Sequence, residues 1–248
     1  MSSTPADLRN AIEAFKPSAG GPVPTDPWTA QYWDMAGAHV TFLNALLGIY
    51  EQAPHVPPEK HVNFIGYCLL WCAVVHSHHE YEEETYFAMY EPKLDTSFVQ
   101  EEHDAFQKGL SVFENYLVAC LPASHEYGLG KSTSESQVPV AFDGTKLQGL
   151  IDEFAPPLAE HLIHEVTYLE PEKLKAAGMT EAEMKHIGEV THTYIEKFPI
   201  TRFLTFAVLC KPTWVNFPPV PGFVKSFLVP YVLAIPYRHF WEFAPKNS

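Results

Sequence analysis

"HSHHEYEEETYF", residues 76–87, packs three histidines and four glutamates into twelve positions. Either it is a solvated charge run on a helix surface, or it is half of a metal site. The choice decides the fold, because a metal site needs partners from elsewhere in the chain. Residues three and four apart share one side of a helix, so a stripe of alternating three- and four-residue steps marks the seam that faces a core. Through this stretch such a stripe reads Leu69, Cys72, His76, His79, Glu83, Tyr86, Tyr90. His79 and Glu83 fall on it; His78, Glu80, Glu82 and Glu84 fall off it and read as exposed.

The same stripe can be drawn through three other apolar-periodic segments. It reads Tyr32, Met35, His39, Phe42, Leu46 in the first, and Val99, His103, Phe106, Leu110, Phe113, Leu117 in another. In the last it reads Ile151, Phe154, Leu158, His161, Glu165, Tyr168. Every one of the four main segments puts a histidine on its seam, and two add a glutamate one turn later. A buried unpaired carboxylate costs several kcal/mol or becomes neutral. Two glutamates and at least four histidines in one core therefore call for a cation, and imidazole is the commonest metal ligand. A single buried histidine is more often a hydrogen-bonded core residue, and an exposed His-x-x-x-Glu pair is common on helices. It is the doubled pair that points to metal. The candidate ligands are His39, His79, Glu83, His103, His161 and Glu165. His76 and His164 are additional candidates, as ligands or as hydrogen-bonding supports.

Breakers divide the chain. Residues 1–27, rich in Pro, Gly, Ser and Thr, read as a lead-in. Helices are expected over about 28–53, 59–90, 95–121 and 145–175, the last kinked or restarted at Pro156 and Pro157. Thr180 and Glu183 form a capping box for a fifth helix to about 197. Residues 122–143 read as a long polar loop, with no hairpin signal anywhere. Residues 28–198 thus form an all-α body with an extra helix. Residues 199–248, dense in aromatics and prolines, are expected to wrap it without regular helix and to bury their rings.

The formal net charge of −14 argues against nucleic-acid and anionic-membrane partners. No stretch is long and apolar enough to span a bilayer. The start lacks the apolar core of a signal peptide. The four cysteines form no CxxC pair and suit a reducing compartment, so a cytoplasmic protein is expected. "HEVTY" (164–168) lacks the second histidine of a zincin motif. "EMKH" and "EVTH" share one short helix and cannot supply two bundle helices. No Walker, Rossmann or GxSxG motif is present.

The stretches "AGAHVTFLNALLGIYEQAPHV", "HHEYEEETYF", "EEHDAF" and "EHLIHEVTYLEP" together resemble the hemerythrin-like, or HHE cation-binding, family over about residues 28–175. The resemblance implies an up-down four-helix bundle holding two non-haem irons. His39, His79, His103 and His161 would be terminal ligands, Glu83 and Glu165 the bridging carboxylates, and O₂ or a related small molecule the partner. One departure stands out: family members with a third-helix His-x-x-x-His pair would have histidine where this chain has Gln107. That departure leaves open either a non-haem di-iron oxidoreductase or oxygenase, or a lyase or hydrolase with one zinc or iron. In the second case the C-terminal segment would form the pocket for a small organic molecule, and Glu83 or Glu165 would serve as general base.

Overall fold

The computed structural model describes residues 3–246, and these are mostly helical. The expectation of an all-α protein holds. Ten α-helices follow one another: α1 (Thr4–Ala14), α2 (Lys16–Ala19), α3 (Pro27–Gln52), α4 (His61–Tyr81), α5 (Phe98–Cys120), α6 (Gly144–Tyr168), α7 (Pro171–Ala176), α8 (Glu181–Ile195), α9 (Phe203–Cys210) and α10 (Arg238–Trp241). A two-stranded antiparallel hairpin, β1 (Glu126–Tyr127) and β2 (Lys131–Ser132), lies in the loop between α5 and α6. The expectation of no hairpin is thereby corrected; two-residue strands are too short to show alternation.

The four long helices contact one another in a ring: α3 touches α4 and α6, and α5 touches α4 and α6. Their starts follow local chemistry. Asp26 caps α3 by accepting from the Thr29 amide, with Pro27 at the first helical position. Asp143 caps α6 by accepting from the Thr145 and Lys146 amides. The centre of the ring is aromatic. Trp71 of α4 meets Phe113 of α5 at 6.0 Å and Phe154 of α6 at 6.1 Å. Its indole N–H donates to the Phe42 carbonyl of α3 at 3.0 Å, so all four helices meet at one side chain.

Several boundaries differ from the sequence expectation. The lead-in is no appendage: α1 packs on α3 and α6 and buries Leu8, Ile12 and Phe15. Its four-residue apolar spacing was masked by the surrounding Pro, Gly and Ser. α6 runs through Pro156 and Pro157 without interruption and stops at Tyr168; Pro171 opens a separate α7. α4 ends as an α-helix at Tyr81 and widens into a π-helical turn over Glu82–Tyr86. The capping box at Thr180 and Glu183 is present and starts α8.

The C-terminal segment buries only part of its rings: Phe206, Phe240, Trp241 and Phe243 are buried, whereas Phe223, Phe227 and Tyr231 are exposed; it is also more helical than its prolines suggest. α9 packs on α3, and Val224–Leu233 forms π-helical turns around Pro230. Phe217 lies against Gly37 of α3, and Phe240 against Gly66 of α4. At both glycines an added Cβ would fall inside the ring, so these are places where only a missing side chain lets an aromatic plane meet a helix. No helix among the described residues is long and apolar enough to cross a membrane.

Two stability predictions follow from this packing. Gly66→Ala should displace Phe240 and destabilise the fold by about 1–3 kcal/mol, the usual cost of overpacking, read as a lower Tm. Burial alone pushes the Asp34 carboxyl up to about 7, and its buried Oδ1 has no hydrogen-bond partner. A raised folded pKa means stability that is full below the ordinary carboxylate range and lost as pH rises through about 7. Asp34→Asn should therefore stabilise the protein near pH 8 by about 2–4 kcal/mol and flatten its pH profile between 4 and 7, as denaturant titration would show.

Candidate metal centre

Near the C-terminal end of α4, the four long helices and the π-helical turn converge on a buried polar cluster. Two groups of side chains each bring their ligand atoms within 4.8 Å of one another. The first is His79, Glu82, His103 and His161; the second is His39, His78, Glu82 and Glu165. Glu82 belongs to both. Glu165 also faces both, its Oε2 lying 3.3 Å from His39 Nε2 and 3.6 Å from His161 Nε2.

The outer ring nitrogens fix which nitrogen points inward. His39 Nδ1 donates to the Leu162 carbonyl at 2.8 Å, His103 Nδ1 to Glu83 Oε1 at 2.5 Å, and His161 Nδ1 to Glu102 Oε2 at 3.0 Å. Carbonyls and carboxylates only accept, so these Nδ1 atoms carry the proton and the Nε2 atoms of the neutral rings are bare. Burial lowers the pKa of His39 and pushes His161 down to about 2, with the neighbouring His103 adding to the effect. His103 Nε2 faces His161 Nε2 at 3.1 Å. His39 Nε2 faces His78 Nε2 at 2.9 Å.

Protein groups do not satisfy the rest of the cluster. Both nitrogens of His79 and all four carboxylate oxygens of Glu82 and Glu165 are buried without a hydrogen-bond partner. His78 Nε2 is 2.8 Å from Glu82 Oε1, close in distance though not in hydrogen-bond geometry. Burial raises Glu165, and the Glu82 charge raises it further. Burial opposes the charge on Glu82 too, but His78 and His39 outweigh it and hold that carboxyl well below its usual range. Two carboxylates facing the same space cannot both ionise cheaply without a cation. The donor set therefore fits a bound divalent metal. Two nitrogens at about 2.1 Å from one ion stand about 3.0–3.4 Å apart, and the His103–His161 pair lies in that range.

Five of the six sequence-derived ligands meet here: His39, His79, His103, His161 and Glu165. Glu83 does not join them. Its side chain is 27% exposed and serves as acceptor for His103 Nδ1, so its place as a bridging carboxylate, or as a base at the metal, is corrected to Glu82. His78, expected to be exposed, faces inward beside His79. The reason is that α4 is apolar around nearly its whole circumference, burying Tyr67 through Cys72 without a break. Two adjacent seams were therefore available, and the observed one runs through Val75, His79, Glu82 and Tyr86. The usable sequence signal was His78-x-x-x-Glu82, which duplicates His161-x-x-x-Glu165 as well as His79-x-x-x-Glu83 does. Gln107 is exposed, and the histidine that joins the cluster beyond those read from sequence is His78. His76 instead accompanies Glu114 at 2.9 Å, away from the cluster. His164, half exposed, shares Glu102 with His161 and supports that ring indirectly. Glu102 was not singled out by sequence.

No protein-family model matches the chain, and no solved structure matches it. It is 27% identical, over 228 residues covering 86% of this chain and 77% of the relative, to the dimeric xanthone biosynthesis cluster protein R11 of Cryptosporiopsis sp. (strain 8999).

The geometry separates ligands from bystanders. Glu82→Ala should abolish metal retention, since both groups use it. Glu83→Gln should weaken affinity only about 10–100-fold, as loss of a ligand's outer hydrogen-bond partner does. His76→Ala should retain full metal content. Elemental analysis after dialysis checks all three; equal retention in Glu82→Ala and His76→Ala would refute the assignment.

Proposed function

We propose that the chain is a hemerythrin-like protein whose α3–α6 form an up-down four-helix bundle around a non-haem di-iron centre that activates O₂. The observation that carries the reading is the pair of bare Nε2 atoms of His103 and His161 facing each other at 3.1 Å, beside carboxylates with no protein partner. Iron suits a set of imidazoles and carboxylates with no thiolate. The relative's place in a xanthone biosynthesis cluster favours an oxidoreductase acting on an organic molecule over a carrier of O₂.

In this reading His79, His103 and His161 would hold one iron and His39 and His78 the other, with Glu82 and Glu165 available to both. Bound there, the irons supply one-electron redox chemistry and a place for O₂. Glu82 and Glu165 bring two negative charges that offset the metal charge in a core with no other compensation. The Leu162 carbonyl, Glu83 and Glu102 lock three imidazoles as Nδ1–H tautomers, which keeps each Nε2 aimed inward and makes it more basic. Phe15, Phe42 and Phe106 pack on the histidine rings and keep bulk water from the ligands.

Protein purified from iron-replete cells should hold two irons per chain, one for each group, and show an oxygen-dependent charge-transfer absorption. Stripping the metal should lower the Tm, because an ion bound only by the native state stabilises it. A colourless protein loaded with a single zinc, or an apo protein with an unchanged Tm, would reject the reading.

A further inference from the structure

Three aromatic rings are left out in solvent, and they sit together. Phe223, Phe227 and Tyr231 are 65%, 61% and 66% exposed, and no other Phe, Tyr or Trp among the described residues is exposed. Val232 and Ile235 extend the same stretch at 45% and 59%. π-helical winding over Val224–Leu233 puts these residues on one side. Its hydrogen bonds reach to the fifth residue back, as from the Ala234 amide to the Val229 carbonyl at 2.9 Å, so residues four and five apart lie together. Val229 and Ala234, five apart, are buried. Phe227 and Val232, also five apart, are exposed, with Phe223 and Tyr231 four residues to either side of Phe227. The Phe227 and Tyr231 rings meet at 5.8 Å. The segment packs on α9, which packs on α3, so it forms an outer layer of the molecule.

Charge divides along the chain in the same place. Residues 199–248 carry five cations, Arg202, Lys211, Lys225, Arg238 and Lys246, against one acid, Glu242, a net +4. Residues 1–198 carry eleven cations against twenty-nine acids, a net −18. The chain-wide −14, which by itself counts against an anionic membrane, therefore conceals a basic segment. Exposed charges farther off than about 8 Å are largely screened at physiological salt, so the local balance governs. Lys225 lies inside the aromatic stretch and exposed Arg238 three residues past its end. Lys225 donates to the carbonyl and the side chain of Asn216, and Lys211 to the Val215 carbonyl. These acceptors are neutral and leave both charges in place. Glu242 is taken by Lys60, at the start of α4.

We infer that this face docks on the surface of an anionic lipid bilayer, with Phe223, Phe227 and Tyr231 in the headgroup boundary and Lys225 and Arg238 beside the lipid phosphates. Exposed rings flanked by cations are the composition of segments that lie in that boundary, and a tyrosine there keeps its hydroxyl in water while its ring is buried. A second copy of the chain fits less well. The five side chains expose on the order of 500 Å², short of the roughly 800 Å² per partner of a standard protein interface. Pairing the face with itself would also set like charges together. The docking is peripheral and asks for no spanning helix, in keeping with the absence of one among the described residues. It is independent of the metal reading.

The test is flotation of the full chain with vesicles of phosphatidylcholine, alone or with about one-third phosphatidylserine. The wild type should float with the mixed vesicles and partition at least about tenfold less onto phosphatidylcholine alone, or when salt rises from about 0.1 M to about 1 M. Phe227→Ser combined with Tyr231→Ser should lower partitioning at least about tenfold, and Lys225→Gln combined with Arg238→Gln about tenfold. Val138→Ser, at an exposed apolar residue of the α5–α6 loop, should match the wild type. A second measurement places the contact. The four native cysteines are buried, so a polarity-sensitive dye can be attached at Val232→Cys alone, and its emission should shift to the blue on mixed vesicles. The same dye at Val138→Cys should not shift. Failure of the wild type to float, wild-type partitioning in the Phe227 and Tyr231 variant, or an unshifted dye at position 232 would overturn the inference. So would a blue shift at 232 that needs no vesicles and rises with protein concentration alongside a dimer in sedimentation, since a second copy would then own the face.

Discussion

The structure turns on a conflict that hydrocarbon packing cannot resolve: bare imidazole nitrogens and unpartnered carboxylates pointed at one another inside a helical core. Two ring nitrogens stand 3.1 Å apart, and a buried carboxylate without a donor costs several kcal/mol. A chain that satisfied these groups from within would place hydroxyls or amides among them. This one instead spends its hydrogen bonds on the outer side of the cluster, where Leu162, Glu83 and Glu102 hold the Nδ1 atoms. The inner face is left for a cation.

The remaining architecture serves that arrangement. The cluster's side chains arrive from all four long helices, so the helix packing sets their geometry, and a metal held there would tie the helices together. The aromatic layer around Trp71 fixes the helices deeper in the core, which lets the polar cluster form without carrying the fold alone. α1, which brings Phe15 against His39, and the wrapping C-terminal segment shield the outer faces of α3 and α4. The result is a buried cluster none of whose side chains borders the three large surface cavities.

Much of this was legible in the residues. The three- and four-residue steps through α3, α5 and α6 located His39, His103, His161 and Glu165 because those helices are amphipathic, with one apolar side to follow. α4 misled for the opposite reason: it is buried on nearly every side, so periodicity could not choose between Glu82 and Glu83, and the choice went one residue too far. The π-helical turn after Tyr81 added a shift that α-helical spacing does not describe. Glu102 and the Leu162 carbonyl were beyond sequence reasoning, since their roles arise only when α5, α6 and α3 come together. α1 was hidden by its Pro- and Gly-rich neighbours, although Leu8, Ile12 and Phe15 have helical spacing.

The most direct measurement is a crystal structure of the iron-loaded chain with diffraction recorded on both sides of the iron absorption edge. The account predicts two anomalous peaks, separated by about 3.5–4 Å as in other paired-metal sites, lying between Glu82 and Glu165 with His103 and His161 on the same ion. Absence of any peak, with His103 and His161 turned apart or joined through a water, would contradict it.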